Sequence, residues 1–144
     1  MNWKKQTVEE LRRYSARKES LAHMEERIQA LRYKRQSIKA TSNTAPVQGG
    51  SNQMEDRLID SFCEEDKLRY NMQATTIMIH GLEKALESLN PVQRKVLDRF
   101  YINPVKGHVE CLCEELGKEC AQVYRIKDAA IRELSIRMFG VLEV

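Results

Sequence analysis

The chain reads as all-α: a long N-terminal antiparallel helical hairpin followed by a compact three-helix module. Two observations predict this. Charged residues make up 31% and aromatics only 6% of the 144 residues, and long stretches are built from Leu, Ile, Met, Glu, Lys, Arg and Gln, the residues that lose least on entering a helix. Apolar residues also recur at three-four spacing over most of the length, the period of one helical face. The length accommodates one domain of ordinary size, or a small domain with an appended arm, and excludes a many-domain enzyme.

The first helix is expected over about 7–40. Thr7 followed by Glu10 has the spacing of a capping box, and no Gly or Pro interrupts the sequence to Ala40. Tyr14, Leu21, Met24, Ile28, Leu31 and Ile38 follow at steps of three, four and seven, which draws one apolar stripe along the helix. Arg35 falls on that stripe and Arg17 close to it, so the seam is imperfect. Trp3 precedes the helix as an apolar anchor against a neighbouring element.

Residues 41–54 combine Pro46 with Gly49, Gly50 and small polar residues and are expected to form the connecting loop. Asn52 and Glu55 then repeat the capping spacing, predicting a second helix over about 53–89. Leu58, Ile59, Phe62, Leu68, Met72, Thr75, Ile79, Leu82, Leu86 and Leu89 mark its apolar side. Two such helices fold back on one another so that each covers the other's stripe. This sets a hairpin domain at 1–85 and a terminal module at 86–144. Because a hairpin leaves part of each stripe open, it is expected to self-associate into a homo-oligomer.

The module opens at Asn90, where an N-cap, Pro91 at the first helical position and Gln93 completing the box coincide. Val92, Val96, Leu97, Phe100 and Tyr101 form its apolar side, and Asn103-Pro104 ends it. A short helix from about Val109 to Leu116, a turn at Gly117 and a longer helix to about Phe139, ahead of Gly140, complete a helix-turn-helix. Its expected core is Leu112, Cys113, Leu116, Val123, Ile126, Ala130 and Leu134, with Ala130 permitting close approach.

Leu116-Gly117, Val123, Ile126, Ala130-Ile131 and Leu134 resemble the end of sigma-factor region 4. Upstream, Ala85-Leu86, Leu89-Asn90, Gln93-Arg94, Val96-Leu97 and Tyr101 resemble the first helix of that region. The two stretches cover about 55 residues in matching order and spacing. With the charged hairpin and the Pro46–Gly50 loop, the whole chain resembles the phage late-gene regulators of the RinA/ArpU-like group. The resemblance implies transcription activation in a prophage of a Gram-positive bacterium. Two departures stand out: Glu119 occupies the place where region 4 usually has a Ser or Thr cap, and Cys120 and Ala121 stand where charged readers are common. No aromatic-rich promoter-melting helix is present, so a complete sigma factor is not expected.

On the last helix, the face opposite Val123, Ile126 and Ala130 presents Gln122, Tyr124 and Arg125, the expected base-reading residues at the end that enters the major groove. Lys118, Lys127 and Arg132 are the expected phosphate contacts. The plain alternative is a solvated helix face. Charge complicates the assignment: residues 1–40 hold 11 Lys+Arg against 5 acids (+6), residues 41–85 hold 4 against 7 (−3), and residues 86–144 hold 9 against 9 (0). Phosphate neutralisation supplies most non-specific DNA affinity, so either the N-terminal segment shares the DNA or binding is weak. The basic run of Arg12, Arg13, Arg17, Lys18, Arg32, Lys34 and Arg35 reads more readily as solvated side chains paired at four-residue spacing.

Cys63, Cys111, Cys113 and Cys120 lack the paired spacing of a disulfide framework and fit a reducing compartment. His108 with the three later cysteines suggests zinc, but Cys111 and Cys113 diverge by about 200° around a helix, so no metal or other cofactor is expected. Cys111 is expected to be exposed and His108 to start a helix, and because the cysteines stand next to acids no reactive thiolate is expected. No Gly-rich phosphate loop, nucleophile elbow or isolated acid pair is present, and no catalytic residue is assigned. The absence of a long apolar run or signal-peptide core predicts a cytoplasmic protein without a membrane partner. The expected partners are double-stranded DNA, RNA polymerase and further copies of the chain. The alternatives are a small-terminase-like DNA-packaging subunit, and an adaptor that docks on polymerase or a sigma antagonist without reading DNA.

Overall fold

The computed structural model describes residues 1–44 and 51–140, and these contain five α-helices and one π-helical turn. Helix α1 spans Trp3–Thr44, α2 Ser51–Glu87, α3 Pro91–Leu97, α4 His108–Leu116 and α5 Cys120–Phe139, with the π-turn at Asp98–Ile102 continuing α3. None of these helices is long and apolar enough to cross a membrane.

The chain divides into two compact units, one of residues 19–77 and the other of residues 1–18 with the described residues from 78 onward. This division differs from a boundary between 85 and 86. The first turns of α1 and the last turns of α2 bury their apolar side chains with the C-terminal helices, around a shared core of Leu11, Leu82, Ala85, Leu89, Leu97, Ala130, Ile131 and Leu134.

Helix α1 starts one turn earlier than the Thr7 box predicts. Asn2 caps it, its side-chain oxygen accepting from the Lys5 amide at 3.2 Å, which removes Thr7 from the terminus. Thr7 is instead buried, donating to the Trp3 carbonyl at 2.8 Å and lying 2.8 Å from Ser135 Oγ on α5. Each hydroxyl carries one proton, so with Thr7 donating within its own helix Ser135 donates across to Thr7 Oγ1, its oxygen lying 2.7 Å from the Ile131 carbonyl as well. Trp3 stacks on Phe139 with ring centroids 4.8 Å apart, so the first turn of α1 is anchored on α5 by an aromatic pair and a hydroxyl pair.

The expected loop at 41–54 is shorter at both ends. α1 continues through Thr44 and α2 begins at Ser51, which puts Asn52 inside the helix and not at its cap. The rest of the expected loop, 45–50, lies outside the described residues.

In the unit of residues 19–77, Ile28 and Leu31 are buried, and Leu21, Met24 and Ile38 half-buried, as the stripe predicts. Arg35 is buried with them. Its guanidinium donates to Glu65 at 2.6 Å and to Ser61 Oγ at 3.0 Å, and lies 4.1 Å from the Phe62 ring centroid. Arg32 and Arg69 reach the same carboxylate at 3.3 and 2.9 Å. Glu65 therefore satisfies three cations, and the hydrogen bond from Arg35 holds its carboxyl below the usual range against the opposing effect of burial. A buried charge is tolerated only when paired and hydrogen-bonded in this way.

Candidate nucleic-acid interface

Short-range rules place the elements of the C-terminal module. Asn90 caps α3 with a full capping box, accepting from the Gln93 amide at 2.8 Å while Gln93 accepts from the Asn90 amide at 3.3 Å. Pro91 follows at the first helical position. The Asn103 amide closes the π-turn on the Asp98 carbonyl at 2.8 Å, which turns Phe100 toward His108 and Tyr124. Gly117 ends α4 with φ +63°, a left-handed conformation costly for any side chain with a Cβ. Lys118 and Glu119 then lead straight into α5.

A small core pins α4 across α3 and α5: Val96, Leu112 and Val123 are fully buried, with Phe100, Cys113, Leu116 and Ile126 packed around them. Ala130 and Leu134, expected in the same core, are fully buried in the larger cluster instead, against Leu11 and Leu82. Glu115 ties the end of α4 to the preceding helix through Lys95 at 2.7 Å and Arg99 at 3.3 Å. The Lys95 hydrogen bond, with Arg99 adding, holds the Glu115 carboxyl below its usual range.

The six expected DNA contacts divide. Gln122, Arg125, Lys118 and Arg132 are exposed, and their side chains form no hydrogen bond or ion pair among the described residues. Tyr124 is 45% exposed but sets its ring edge-on to Phe100 at 5.8 Å. Lys127 makes contacts within the chain: its ammonium lies over the Tyr124 and Phe100 rings at 5.3 and 5.6 Å and pairs with Asp128 at 3.2 Å. Lys118 lines a groove at the start of α3 with Asn90, Pro91 and Gln93, apart from the groove that holds Arg125 and Arg132.

That second groove, of about 600 Å³, runs between the first turns of α1 and the outer face of α5, lined by Lys4, Lys5, Val8, Arg125, Asp128, Ala129, Ile131 and Arg132. Four cations face one carboxylate. Lys4 and Lys5 were not singled out by the sequence; their only signal is the N-terminal charge excess, which says nothing of where that charge lies. Most of the other N-terminal cations are engaged: Arg13 with Glu9, Arg17 with Glu10, Arg27 with Glu64, Arg12 over the Tyr101 ring and Lys18 over the Tyr14 ring.

Among the described residues no group of three or more His, Cys, Asp or Glu side chains is arranged to hold a metal ion. Cys111 is exposed; His108 opens α4, its ring nitrogen 3.2 Å from the Val105 carbonyl. Comparison with protein-family models, curated proteins and solved structures returns no match.

Proposed function

We propose that the chain is a DNA-binding transcription regulator of the phage late-gene type, with α3–α5 serving as a sigma region 4-like helix-turn-helix and α5 entering the major groove. The observation that carries this reading is the groove of Lys4, Lys5, Arg125 and Arg132, with Gln122 exposed on α5 three residues before Arg125. A terminal module with no net charge lacks the phosphate affinity that DNA binding needs. Lysines on the first turn of α1 supply it, next to the helix whose residues read bases. Arg125 and Gln122 suit bidentate contacts to guanine and adenine edges, with Lys4, Lys5 and Arg132 on the flanking backbone. Tyr124 and Lys127 take a supporting role in the reading helix, given their packing on Phe100.

Residues 19–77 are proposed as an oligomerisation hairpin. Ile59, Phe62, Tyr70 and Ile77 share one face of α2 and are 48–71% exposed, a stripe at helical spacing that a second copy would cover. RNA polymerase is the further partner that the region 4 resemblance implies.

The test is a fluorescence-anisotropy titration of the full chain against a duplex from its own upstream region and a scrambled duplex, over a salt series. The expected result is preference for the native duplex that Arg125→Ala abolishes, a loss of about 1–3 kcal/mol at the base pair read. Lys4→Ala with Lys5→Ala weakens both duplexes alike and lowers the salt slope by about two. Equal, steeply salt-dependent binding to both duplexes would favour a packaging subunit, and binding to neither would favour a polymerase-docking adaptor.

A further inference from the structure

Cys113, in the last turn of α4, and Cys120, the first residue of α5, are separated by the turn at Gly117, and their Sγ atoms lie 3.2 Å apart. Seven residues apart on an unbroken helix, two side chains would lie about 10 Å from each other along the axis. The left-handed Gly117 breaks α4 and brings the sulfurs together. We propose that Cys113 and Cys120 form a redox-active dithiol that closes to an intramolecular disulfide on reaction with low-molecular-weight disulfides of the glutathione type. This assignment is independent of the DNA-binding reading.

The two thiols differ in a way that orders the chemistry. Cys120 is exposed, whereas Cys113 is half-buried. The hydrogen bond with Cys120, together with desolvation, pushes the Cys113 thiol above its ordinary range. Cys120, the exposed thiol, gives its proton to solvent and attacks one sulfur of the small disulfide; the S–S bond breaks, one thiolate leaves and takes up a proton, and a mixed disulfide remains on Cys120. Cys113 then gives its proton to solvent and attacks Cys120 Sγ, expelling the second thiolate. The protein loses two protons and two electrons, the second thiolate also takes up a proton, and the small disulfide is reduced to two thiols. The attack needs no diffusion of a second thiol, because the contact is already made in the fold.

Cys63 and Cys111 are exposed, and no sulfur contact is formed by either among the described residues, so they serve as references inside the same molecule. The experiment equilibrates the full chain in buffers of graded reduced-to-oxidised glutathione ratio, quenches with N-ethylmaleimide and maps every cysteine by mass spectrometry. The expected product is a Cys113–Cys120 linked peptide. It should persist at a glutathione ratio at least about tenfold more reducing than the ratio that clears mixed disulfides from Cys63 and Cys111. Cys113→Ser should leave Cys120 carrying glutathione, with reversal at the ratio seen for Cys63. In denaturing urea the Cys113–Cys120 preference should disappear. Equal titration of all four cysteines in the native chain, or accumulation of unresolved glutathione on Cys120 in the wild type, would overturn the proposal.

Discussion

Replacing Glu65 with Ala should be among the most damaging single changes in the unit of residues 19–77, and its size follows from the geometry. The side chains of Arg35 and Glu65 are only 8% and 9% exposed, so solvent screens little of their interaction. Removing the carboxylate leaves the Arg35 guanidinium buried against the Phe62 ring face, with Ser61 Oγ as its remaining hydrogen-bond partner among the described residues. It also frees Arg32 and Arg69, whose side chains are already about half exposed and re-solvate at little cost. Stranding one member of a buried ion pair costs about 3–5 kcal/mol. With a urea slope of roughly 1–3 kcal/mol per molar, the unfolding midpoint followed by circular dichroism should fall by at least about 1 M. The double replacement Arg35→Met with Glu65→Leu should recover most of the loss, because an apolar pair of similar volume does without the charges. Amide exchange should quicken mainly within residues 19–77 in the single variant. A cost below about 1 kcal/mol for Glu65→Ala, or a double replacement as damaging as the single, would refute the argument.

Acid titration gives the same site a second signature. The Glu65 carboxyl is held below its ordinary value, mainly by the Arg35 hydrogen bond, so its stabilisation is complete above the unfolded carboxylate pKa of about 4.3 and is lost as pH falls through the folded value. Glu65→Gln should flatten the acid limb of the stability curve relative to wild type. Glu115, lowered chiefly by Lys95, has the same sign, so Glu115→Gln should weaken the attachment of α4 at neutral pH and matter less below about pH 4, read as α4 amide exchange. Leu134→Ala should cost about 2–5 kcal/mol in urea unfolding, because Leu134 is fully buried in the cluster that joins α1, α2 and α5. Glu119 occupies the N-cap of α5 with extended backbone but makes no side-chain cap. Glu119→Ser should therefore gain about 0.5–1 kcal/mol in thermal unfolding.

What the sequence made legible and what it hid divide by range. The Asn90-Pro91-Gln93 start, the Gly117 and Gly140 stops and the buried register of Ile28 and Leu31 are all set within a few residues of themselves. Capping and periodicity therefore find them. Thr7 looked like a cap because its own neighbourhood permits one; Asn2 upstream provides the cap, and the partner that fixes Thr7 is Ser135, 128 residues away. Arg35 looked like a flaw in the stripe because its partner Glu65 stands 30 residues along on another helix. Helical spacing groups Ala130 and Leu134 with the helix-turn-helix core, yet both turn toward Leu11 and Leu82, a contact that no local pattern encodes. The excess of N-terminal charge was visible, but its apposition to Arg125 and Arg132 depends on how α1 packs on α5.

That packing gives the functional proposal its sharpest test. Lys4 and Lys5 lie beside Arg125 because Trp3 stacks on Phe139 and Thr7 meets Ser135. If the lysines act by position and not merely by adding charge, releasing the first turn should weaken DNA binding almost as much as removing them. Trp3→Ala takes away the aromatic anchor while leaving every cation in the chain, and Trp3 Nε1 makes no hydrogen bond that would be lost. The expected outcome is a fall in affinity for both duplexes comparable to that of Lys4→Ala with Lys5→Ala, and little further loss when the three changes are combined. Such non-additivity is the mark of groups that act through one arrangement. Thermal unfolding of Trp3→Ala supplies the control, since a folded variant that binds like wild type would separate the lysines from the interface. Additive losses would mean that the lysines contribute charge without a fixed place, and the groove would then be an incidental feature of the surface.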